Sequence, residues 1–204
     1  MAKQFLDEAY HLDSAEDTQA LYNDWAASYD AETGENGYAT PGRLAEALAE
    51  HVEDLTAPIL DFGCGTGLSG LALKLAGFKT IDGMDPNAEM LAQAEPKGVY
   101  RTLTEIDVTD PNPISQGNYA TIAAIGVIGT GAAPPETFDL LMNALDRGGI
   151  MSFSFNDHAM ADASYTTRLD EWVDGGKARL VYSAYGPHLP KRDINSTIYI
   201  LEKT

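Results

Sequence analysis

The chain has 204 residues, of which 44% are hydrophobic and 22% charged, which is the balance of a globular protein rather than a disordered or fibrous one. Its 31 acidic and 13 basic residues give a formal net charge of -18, so nucleic acids and anionic membranes are not expected partners. The length suits one well-buried core, and we expect a single domain over residues 1–204.

The first part of the chain predicts two helices separated by a turn. Residues 18–27 have a helical pattern, and the sequence "ETGENGY" that follows is rich in turn residues. A second helix is predicted to begin with Thr40 as its N-cap and Pro41 at its first position. Leu44 and Leu48 then fall on one stripe, which predicts the buried face of that helix.

From residue 57 onward, short apolar strands alternate with helices. "PILDF" predicts a buried strand that stops at glycines, and the glycines open a helix that Gly77 ends. "FKTIDGM" predicts the next strand, before a helix over residues 87–94 and strands near "VYRTL" and in "YATIAAIGVI". A helix through Phe138 and Leu145, a fifth strand "IMSFSF" and a helix over residues 167–173 follow.

The C-terminal part supplies two strand segments with no helix between them, "KARLVYSAY" and "STIYILEK". Consecutive strands of this kind pair antiparallel most easily. The five strands before them alternate with helices, which implies right-handed crossovers and parallel pairing. The sequence therefore predicts an α/β fold with one mostly parallel seven-stranded sheet, helices on both faces and an antiparallel C-terminal edge hairpin.

The number of cysteines and the length of the apolar runs indicate the cellular compartment of the protein. Cys64 is the only cysteine, so the chain has no intrachain disulfide, and we expect no metal site. The first residues lack an apolar run of signal-peptide length, and no later run approaches the roughly 18 uninterrupted apolar residues of a membrane span. We expect a cytoplasmic protein without a membrane anchor.

The segment "DFGCGTGLSG", from Asp61 to Gly70, matches two glycine patterns. Gly65, Gly67 and Gly70 give the Gly-x-Gly-x-x-Gly pattern of dinucleotide-binding proteins, and Gly63, Gly65 and Gly67 give a Gly-x-Gly-x-Gly loop. In a dinucleotide site, Asp61 would lie near the phosphates and repel them. S-adenosylmethionine has no phosphate and carries a sulfonium and an ammonium group. Asp61 therefore favours S-adenosylmethionine as the cofactor.

Two more aspartates follow the ends of predicted strands. At Asp85, a carboxylate can accept hydrogen bonds from both hydroxyls of an adenosine ribose. The alternative is a helix N-cap, because Asp85 precedes Pro86 and a helical stretch. Asp107 follows the third strand and suits the adenine amino group, with a plain turn aspartate as an equal alternative.

The ordered segments "ILDFGCGTG", "IDGMDPNAEML", "EIDV" and "LDRGGIMSFSF" resemble the class I S-adenosylmethionine-dependent methyltransferases, roughly from Tyr22 to the C-terminus. "YNDWAASYD", "GYATP" and "GVIGTGAAPPETFDLLMNAL" resemble more narrowly the small Williams-Beuren-region methyltransferase-like group. The resemblance implies a Rossmann-like core over residues 57–204. It also implies that helices within residues 1–56 cover the cofactor site.

The resemblance further implies which residues contact the cofactor. They are Asp61, Gly63, Gly65 and Gly67 around the methionine part, Asp85 at the ribose, Asp107 with Val108 at the adenine, and Tyr29 closing over the cofactor, with Pro86 as a further cofactor contact. For Tyr22 and Trp25, packing on the domain is the favoured interpretation. Relatives of the narrower group often place a histidine in the loop after the fourth strand, where this chain has Gly131, Ala132 and Ala133.

Methyl transfer from a sulfonium is an in-line displacement, which requires alignment and exclusion of water rather than a catalytic nucleophile. Cys64 is therefore interpreted as a small packed residue of the loop. His158 and His188 are candidate general bases, each equally explained as a surface histidine, and no catalytic residue is assigned. Tyr165 and Trp172 suit either a substrate pocket or the core.

The sequence thus predicts methylation of a small molecule with S-adenosylmethionine. The preference for a small acceptor rests on the acidic surface and on the lack of a separate substrate domain. Two alternatives stay open. One is a nicotinamide-dependent oxidoreductase, and the other is a non-catalytic module that binds S-adenosylmethionine.

Overall fold

The computed structural model describes residues 5–9 and 14–204. The strands are β1 (Pro58–Phe62), β2 (Thr80–Asp85), β3 (Thr102–Glu105), β4 (Thr121–Ala124), β5 (Ile150–Asn156), β6 (Ala178–Leu189) and β7 (Ile194–Lys203). The helices are α1 (Phe5–Ala9), α2 (Ala15–Trp25), α3 (Tyr29–Glu35), α4 (Thr40–Ala49), α5 (Leu68–Ala76), α6 (Ala88–Ala94), α7 (Glu136–Ala144), α8 (Asp157–Ala161) and α9 (Ala163–Asp174).

The strands form one seven-stranded sheet in the order β3-β2-β1-β4-β5-β7-β6. The pairs of β1 with β2, β1 with β4, β2 with β3 and β4 with β5 are all parallel. β7 pairs antiparallel with both β5 and β6, which places the C-terminal hairpin at one edge of the sheet. The predicted α/β fold is confirmed, including its mostly parallel sheet and its antiparallel edge hairpin.

Both faces of the sheet are covered by helices. Successive residues of β1 point to opposite faces, so Ile59 and Leu60 pack in different hydrophobic clusters. The cluster around Ile59 contains Leu48 of α4 and Leu73 of α5. The cluster around Leu60 contains side chains of α7 and α9, among them Phe138. Because the central strands are buried on both faces, their sequences are mostly apolar runs.

The N-terminal helices differ from the sequence prediction in three ways. α2 begins at Ala15, because the Ser14 side chain accepts a hydrogen bond from the backbone of Asp17, and it ends two residues before the predicted end. Residues 32–35, the first four of the segment predicted as a turn, belong to α3. Thr40 is not an N-cap: Ala39 holds that position, and the buried Thr40 hydroxyl bonds to His188 and Ser196 instead.

β4 is shorter than the apolar run that predicted it. The run continues to residue 128, but β4 ends at Ala124 and Gly126 turns the chain with a φ of 72°. A Cβ at Gly126 would lie 2.1 Å from the hydroxyl oxygen of Tyr38. The backbone conformation of Gly126 and its close packing against Tyr38 therefore end this strand. A hydropathy pattern contains no information on either feature. In the described part of the chain, no helix is long and apolar enough to cross a membrane.

Candidate functional site

A cavity of about 390 Å³ lies beyond the carboxyl ends of β1 and β2. The strand order reverses between these two strands and β4, and open α/β sheets bind their ligands at such a point. Of the predicted cofactor residues, the cavity is lined by Tyr29, Gly63, Gly65, Asp85, Pro86, Asp107 and Val108. The other two, Asp61 and Gly67, do not line this cavity.

The glycine loop has a backbone that only glycine adopts easily. Gly63, Gly65 and Gly67 have φ angles of 68°, 52° and 92°. A Cβ at Gly63 would lie 2.5 Å from a methyl carbon of Val127. A Cβ at Gly65 would meet no protein atom within 4 Å, although Gly65 lines the cavity. The missing side chain at Gly65 therefore keeps space open for a ligand.

Gly70, the third glycine of the dinucleotide pattern, serves packing instead. It lies within α5, where an added Cβ would be 2.4 Å from the hydroxyl oxygen of Tyr100. Its backbone N–H donates to that same oxygen at 3.2 Å. Gly70 does not line the cavity, so the spacing of the second pattern reflects helix packing here.

Asp85 joins the glycine loop to the segment after β2. Its Oδ2 accepts from the backbone N–H of Gly65 at 2.8 Å, and its Oδ1 accepts from that of Asn87 at 2.9 Å. Burial raises the pKa of the Asp85 carboxyl to about 6, although both backbone donors favour the charged form. Each oxygen keeps a further lone pair, so ribose hydroxyls can still donate to it.

Asn87 is a candidate site residue that the sequence did not indicate. It holds the N-cap position of α6, so the N-cap interpretation of Asp85 is wrong. The carboxamide oxygen of Asn87 is buried and accepts no hydrogen bond from any described residue, and Asn87 lines the cavity. A buried polar atom of this kind requires a partner, and a donor group of S-adenosylmethionine fits that need.

Asp61 lies behind the cavity wall. It is fully buried, and its Oδ2 accepts from the hydroxyls of Ser69 at 2.6 Å and Tyr100 at 2.7 Å. Burial raises the pKa of the Asp61 carboxyl to about 7, while the two hydroxyl donors lower it. Ser69 lines the cavity and stands between Asp61 and the ligand space. Asp61 therefore acts on the cavity through Ser69.

The far end of the cavity combines a turn with exposed apolar surface. Asp107 is exposed, and its Oδ1 accepts from the backbone N–H and the hydroxyl of Thr109, at 2.8 Å and 2.7 Å. These bonds form a local turn, which agrees with the alternative interpretation of Asp107 as a turn aspartate. They also lower the pKa of the Asp107 carboxyl. Val108 leaves 58% of its surface exposed at this edge, which suits a flat aromatic ring.

An ion pair holds α3 over the glycine loop. Asp30 accepts from the hydroxyl of Thr66 at 2.5 Å and forms an ion pair with Lys97 at 2.8 Å, and Lys97 also donates to the carbonyl of Thr66. Gln19 of α2 donates to the carbonyl of Pro86 at 2.9 Å. These contacts join distant parts of the sequence, so no local pattern indicated them.

A second cavity, of about 60 Å³, lies over the ends of β4 and β5 and is covered by α1 and α2. It shares the wall residues Tyr22, Tyr29, Tyr38, Gly126 and Ala132 with the larger cavity. The buried His188 and Trp25 also line it. The two cavities therefore meet at a set of tyrosines.

The remaining candidates divide between surface and core. His158 is exposed on α8, as its surface interpretation predicted, whereas His188 is buried and not a surface histidine. Tyr165 and Trp172 pack in the hydrophobic cluster with Phe138, and neither lines either cavity. Cys64 is buried at the large cavity, and burial raises its thiol pKa far above the ordinary value, which keeps it protonated.

Known proteins resemble this chain in sequence and in fold. Residues 35–188 match the family model described as a methyltransferase domain. The chain is 30% identical over 157 residues to methyltransferase-like protein 27 of Homo sapiens. That match covers 76% of this chain and 63% of the human protein, so the chain spans less than two thirds of that relative's length.

Two solved structures illustrate the likeness in fold. A chain from the complex between the Haloferax volcanii Trm112 methyltransferase activator and a methyltransferase has a TM-score of 0.67 at 14% identity, over 89% of this chain and 97% of that one. The magnesium protoporphyrin IX methyltransferase of Synechocystis, with bound S-adenosylhomocysteine, has a TM-score of 0.63 at 13% identity, over 92% and 100%. The predicted family and its cofactor, S-adenosylmethionine, are thus confirmed. This chain belongs to the methyltransferase domain family, among the class I S-adenosylmethionine-dependent methyltransferases.

Proposed function

We propose that this chain transfers the methyl group of S-adenosylmethionine to a small-molecule acceptor in the cytoplasm. The acceptor atom attacks the methyl carbon in line with the methyl–sulfur bond. That bond breaks, its electron pair goes to sulfur, and S-adenosylhomocysteine leaves. The observation that carries the proposal is the junction of two cavities, a large one with the cofactor residues and a small one beside it.

In this proposal, the large cavity holds the cofactor along the ends of β1 to β3. Asp85 and Asn87 accept hydrogen bonds from the ribose, and Gly65 lets the methionine part approach the backbone, with Gly63 beside it in the cavity wall. Asp107 and Val108 lie at the adenine, and Tyr29 closes the site from α3. Residues 57–204 form the cofactor-binding core, and α2 and α3 within residues 1–56 form its cover.

The small cavity supports a small acceptor. Its volume of about 60 Å³ has room for roughly four water molecules, which bounds the group that enters it. Trp25 of α2 and Leu6 of α1 close it from above, so a macromolecular acceptor would have to displace these helices. The net charge of -18 also disfavours a nucleic-acid acceptor.

Calorimetry tests the cofactor part of the proposal. We expect S-adenosylmethionine and S-adenosylhomocysteine to bind with micromolar dissociation constants. Gly65→Ala should weaken both, because its Cβ occupies cavity space, and Gly34→Ala is the control, since an added Cβ there meets no atom within 4 Å and Gly34 lies outside both cavities. Absent binding at high micromolar concentration would contradict the proposal.

Transfer of a labelled methyl group tests the acceptor part. The protein is incubated with labelled S-adenosylmethionine and a cell extract separated into metabolites and macromolecules. Label in the metabolite fraction supports the small-molecule acceptor. Label on protein or RNA would overturn it, and cofactor binding without turnover on any fraction would favour the non-catalytic module.

A further inference from the structure

A chain of buried hydrogen bonds ends at His188 in the small cavity. Arg43 Nη1 lies 3.1 Å from the hydroxyl oxygen of Ser196, which lies 2.9 Å from the hydroxyl oxygen of Thr40. The Thr40 oxygen lies 2.8 Å from Nδ1 of His188. Thr40 and Ser196 are fully buried. These four side chains come from α4, β6 and β7, so tertiary packing alone brings them together.

The direction of this chain follows from the need to pair each buried hydroxyl hydrogen. A guanidinium only donates, so the Ser196 oxygen accepts from Arg43. Among the described residues, Thr40 is the other hydrogen-bond partner of the fully buried Ser196 hydroxyl, so the Ser196 hydrogen goes to Thr40. The Thr40 hydroxyl then has its own hydrogen for Nδ1 of His188. Nδ1 is therefore the acceptor nitrogen of the imidazole. The neutral ring carries its hydrogen on Nε2.

The imidazole is also held neutral. Burial is the main cause that lowers the pKa of His188, to about 4. The negative charge of Asp157 opposes this shift, whereas Arg43 and His158 lower the pKa further. A second proton on Nδ1 would have to point at a hydroxyl that already donates to that nitrogen. At neutral pH, His188 therefore donates a hydrogen bond from Nε2, and its Nδ1 takes up no proton.

A second unpaired donor lies in the wall of the small cavity, and none of the described wall residues carries a formal charge. Trp25 lines the same cavity, and its buried indole N–H donates to none of the described residues. None of the described residues that line this cavity is an aspartate, glutamate, lysine or arginine. Two neutral donors in an uncharged, partly aromatic space suit a group that has two accepting oxygens.

We propose that His188 is a positioning residue that donates from Nε2 to a carboxylate of the methyl acceptor. This inference rests on the methyl-transfer function proposed above. One carboxylate oxygen accepts from His188, and the other attacks the methyl carbon while the methyl–sulfur bond breaks and its electron pair goes to sulfur. The products are a neutral methyl ester and S-adenosylhomocysteine. The anionic oxygen loses no proton, so a histidine that cannot act as a base is sufficient.

Nitrogen NMR of the histidine-labelled protein tests the tautomer without any acceptor. We expect His188 to carry its hydrogen on Nε2 and to show no titration between pH 5.5 and 8. Thr40→Val removes the hydroxyl that fixes the tautomer at similar side-chain volume, and a mixture of tautomers should appear. A hydrogen on Nδ1, or an imidazolium at neutral pH, in the unsubstituted protein overturns the inference.

Acetate tests the acceptor class. In protein loaded with S-adenosylhomocysteine, millimolar acetate should shift the Nε2–H resonance of His188 and the indole N–H resonance of Trp25. His188→Leu should weaken acetate binding about tenfold, as expected for loss of a hydrogen bond to a charged group, whereas His188→Gln keeps a donor and should lose less than about threefold. No acetate-induced shift, or equal losses in both variants, overturns the inference.

Calorimetry with S-adenosylhomocysteine separates this inference from the proposed function. Binding of S-adenosylhomocysteine without the acetate response overturns only the carboxylate proposal. Absent binding contradicts the methyl-transfer proposal itself. The indole resonance of Trp25 also reports whether each variant is folded around the small cavity.

Discussion

Tyr100 donates its phenolic hydrogen to Asp61, with 2.7 Å between its oxygen and Oδ2 of the carboxylate. The same phenolic oxygen accepts from the backbone N–H of Gly70, which has no side chain to obstruct it. One tyrosine therefore connects the end of β1, the start of α5 and the segment before β3. The carboxylate of the glycine-loop strand depends on a partner 39 residues away.

Tyr100→Phe should destabilise the fold, because it removes one of the two hydroxyl donors of Asp61 and the acceptor of the Gly70 N–H. A hydrogen bond to a charged group is worth about 2 kcal/mol, so we expect a loss of that size in the free energy of unfolding at pH 8. Urea denaturation measures it. Tyr185→Phe deletes the same atom from a tyrosine that is 65% exposed and should cost less than about 1 kcal/mol. Equal losses of unfolding free energy in the two variants would mean that the buried Tyr100 hydroxyl stabilises the fold no more than an exposed one does.

Asp61 should make the protein less stable as pH rises toward neutrality. Its pKa is raised from 3.8 to about 7, so between these values the folded state binds more protons than the unfolded state. The free energy of unfolding then falls as pH rises through this window, by roughly 4 kcal/mol in total. Asp85, whose pKa is raised to about 6, adds a similar slope at lower pH.

Asp61→Asn is the variant that isolates this effect. It removes the titrating group but keeps the size of the side chain, so the slope of unfolding free energy between pH 6 and 7 should flatten. Chemical denaturation at several pH values measures the slope. A slope between pH 6 and 7 that is as steep in the variant as in the unsubstituted protein would assign the titration to another group.

The ion pair of Asp30 with Lys97 should slow the release of the cofactor, because it fixes α3 over the glycine loop. Asp30→Asn breaks the ion pair but can still accept from Thr66. The pair is partly exposed, so its loss is worth about 1 kcal/mol or less, and S-adenosylhomocysteine should dissociate up to roughly fivefold faster. Stopped-flow fluorescence of Trp25, which lines the small cavity, measures the rate of S-adenosylhomocysteine dissociation. Glu35→Gln makes the same charge change at an exposed position of α3, and a similar acceleration there would refute a specific role of Asp30.

The sequence predicted those parts of the fold that are encoded locally. β1 has the predicted bounds, and α5 ends at Ala76 with the expected Gly77 as its C-cap, because an apolar run and the glycines around it determine both elements. α3 was missed because its residues are those of a turn, and the helix is held by the contacts of Asp30 with Thr66 and Lys97. Local propensity does not include such contacts.

The candidate site divides in the same way. Asp85 and the glycines lie at the ends of strands, and the rule that ligands bind beyond those ends placed them at the cavity. The bond between Thr40 and His188 spans 148 positions, whereas the local pattern predicted a capping role for Thr40. A threonine before a proline is a normal start of a helix, so only the packing of α4 against β6 and β7 reveals its partner.

Asp85 should make cofactor binding depend on pH. With a pKa of about 6, its carboxylate is ionised at pH 7 and accepts hydrogen bonds from the ribose, whereas at pH 5 it is mostly protonated and one oxygen becomes a donor. We therefore expect S-adenosylhomocysteine to bind about tenfold more weakly at pH 5 than at pH 7, as measured by calorimetry. Asp85→Asn should bind weakly at both pH values, because a carboxamide NH₂ would face one of the backbone donors, Gly65 or Asn87. Asp107→Asn is the matched control: the pKa of Asp107 is lowered, so that variant should keep the full pH dependence. If Asp107→Asn abolishes the dependence and Asp85→Asn preserves it, the titrating group lies at the adenine end of the cavity and not at the ribose.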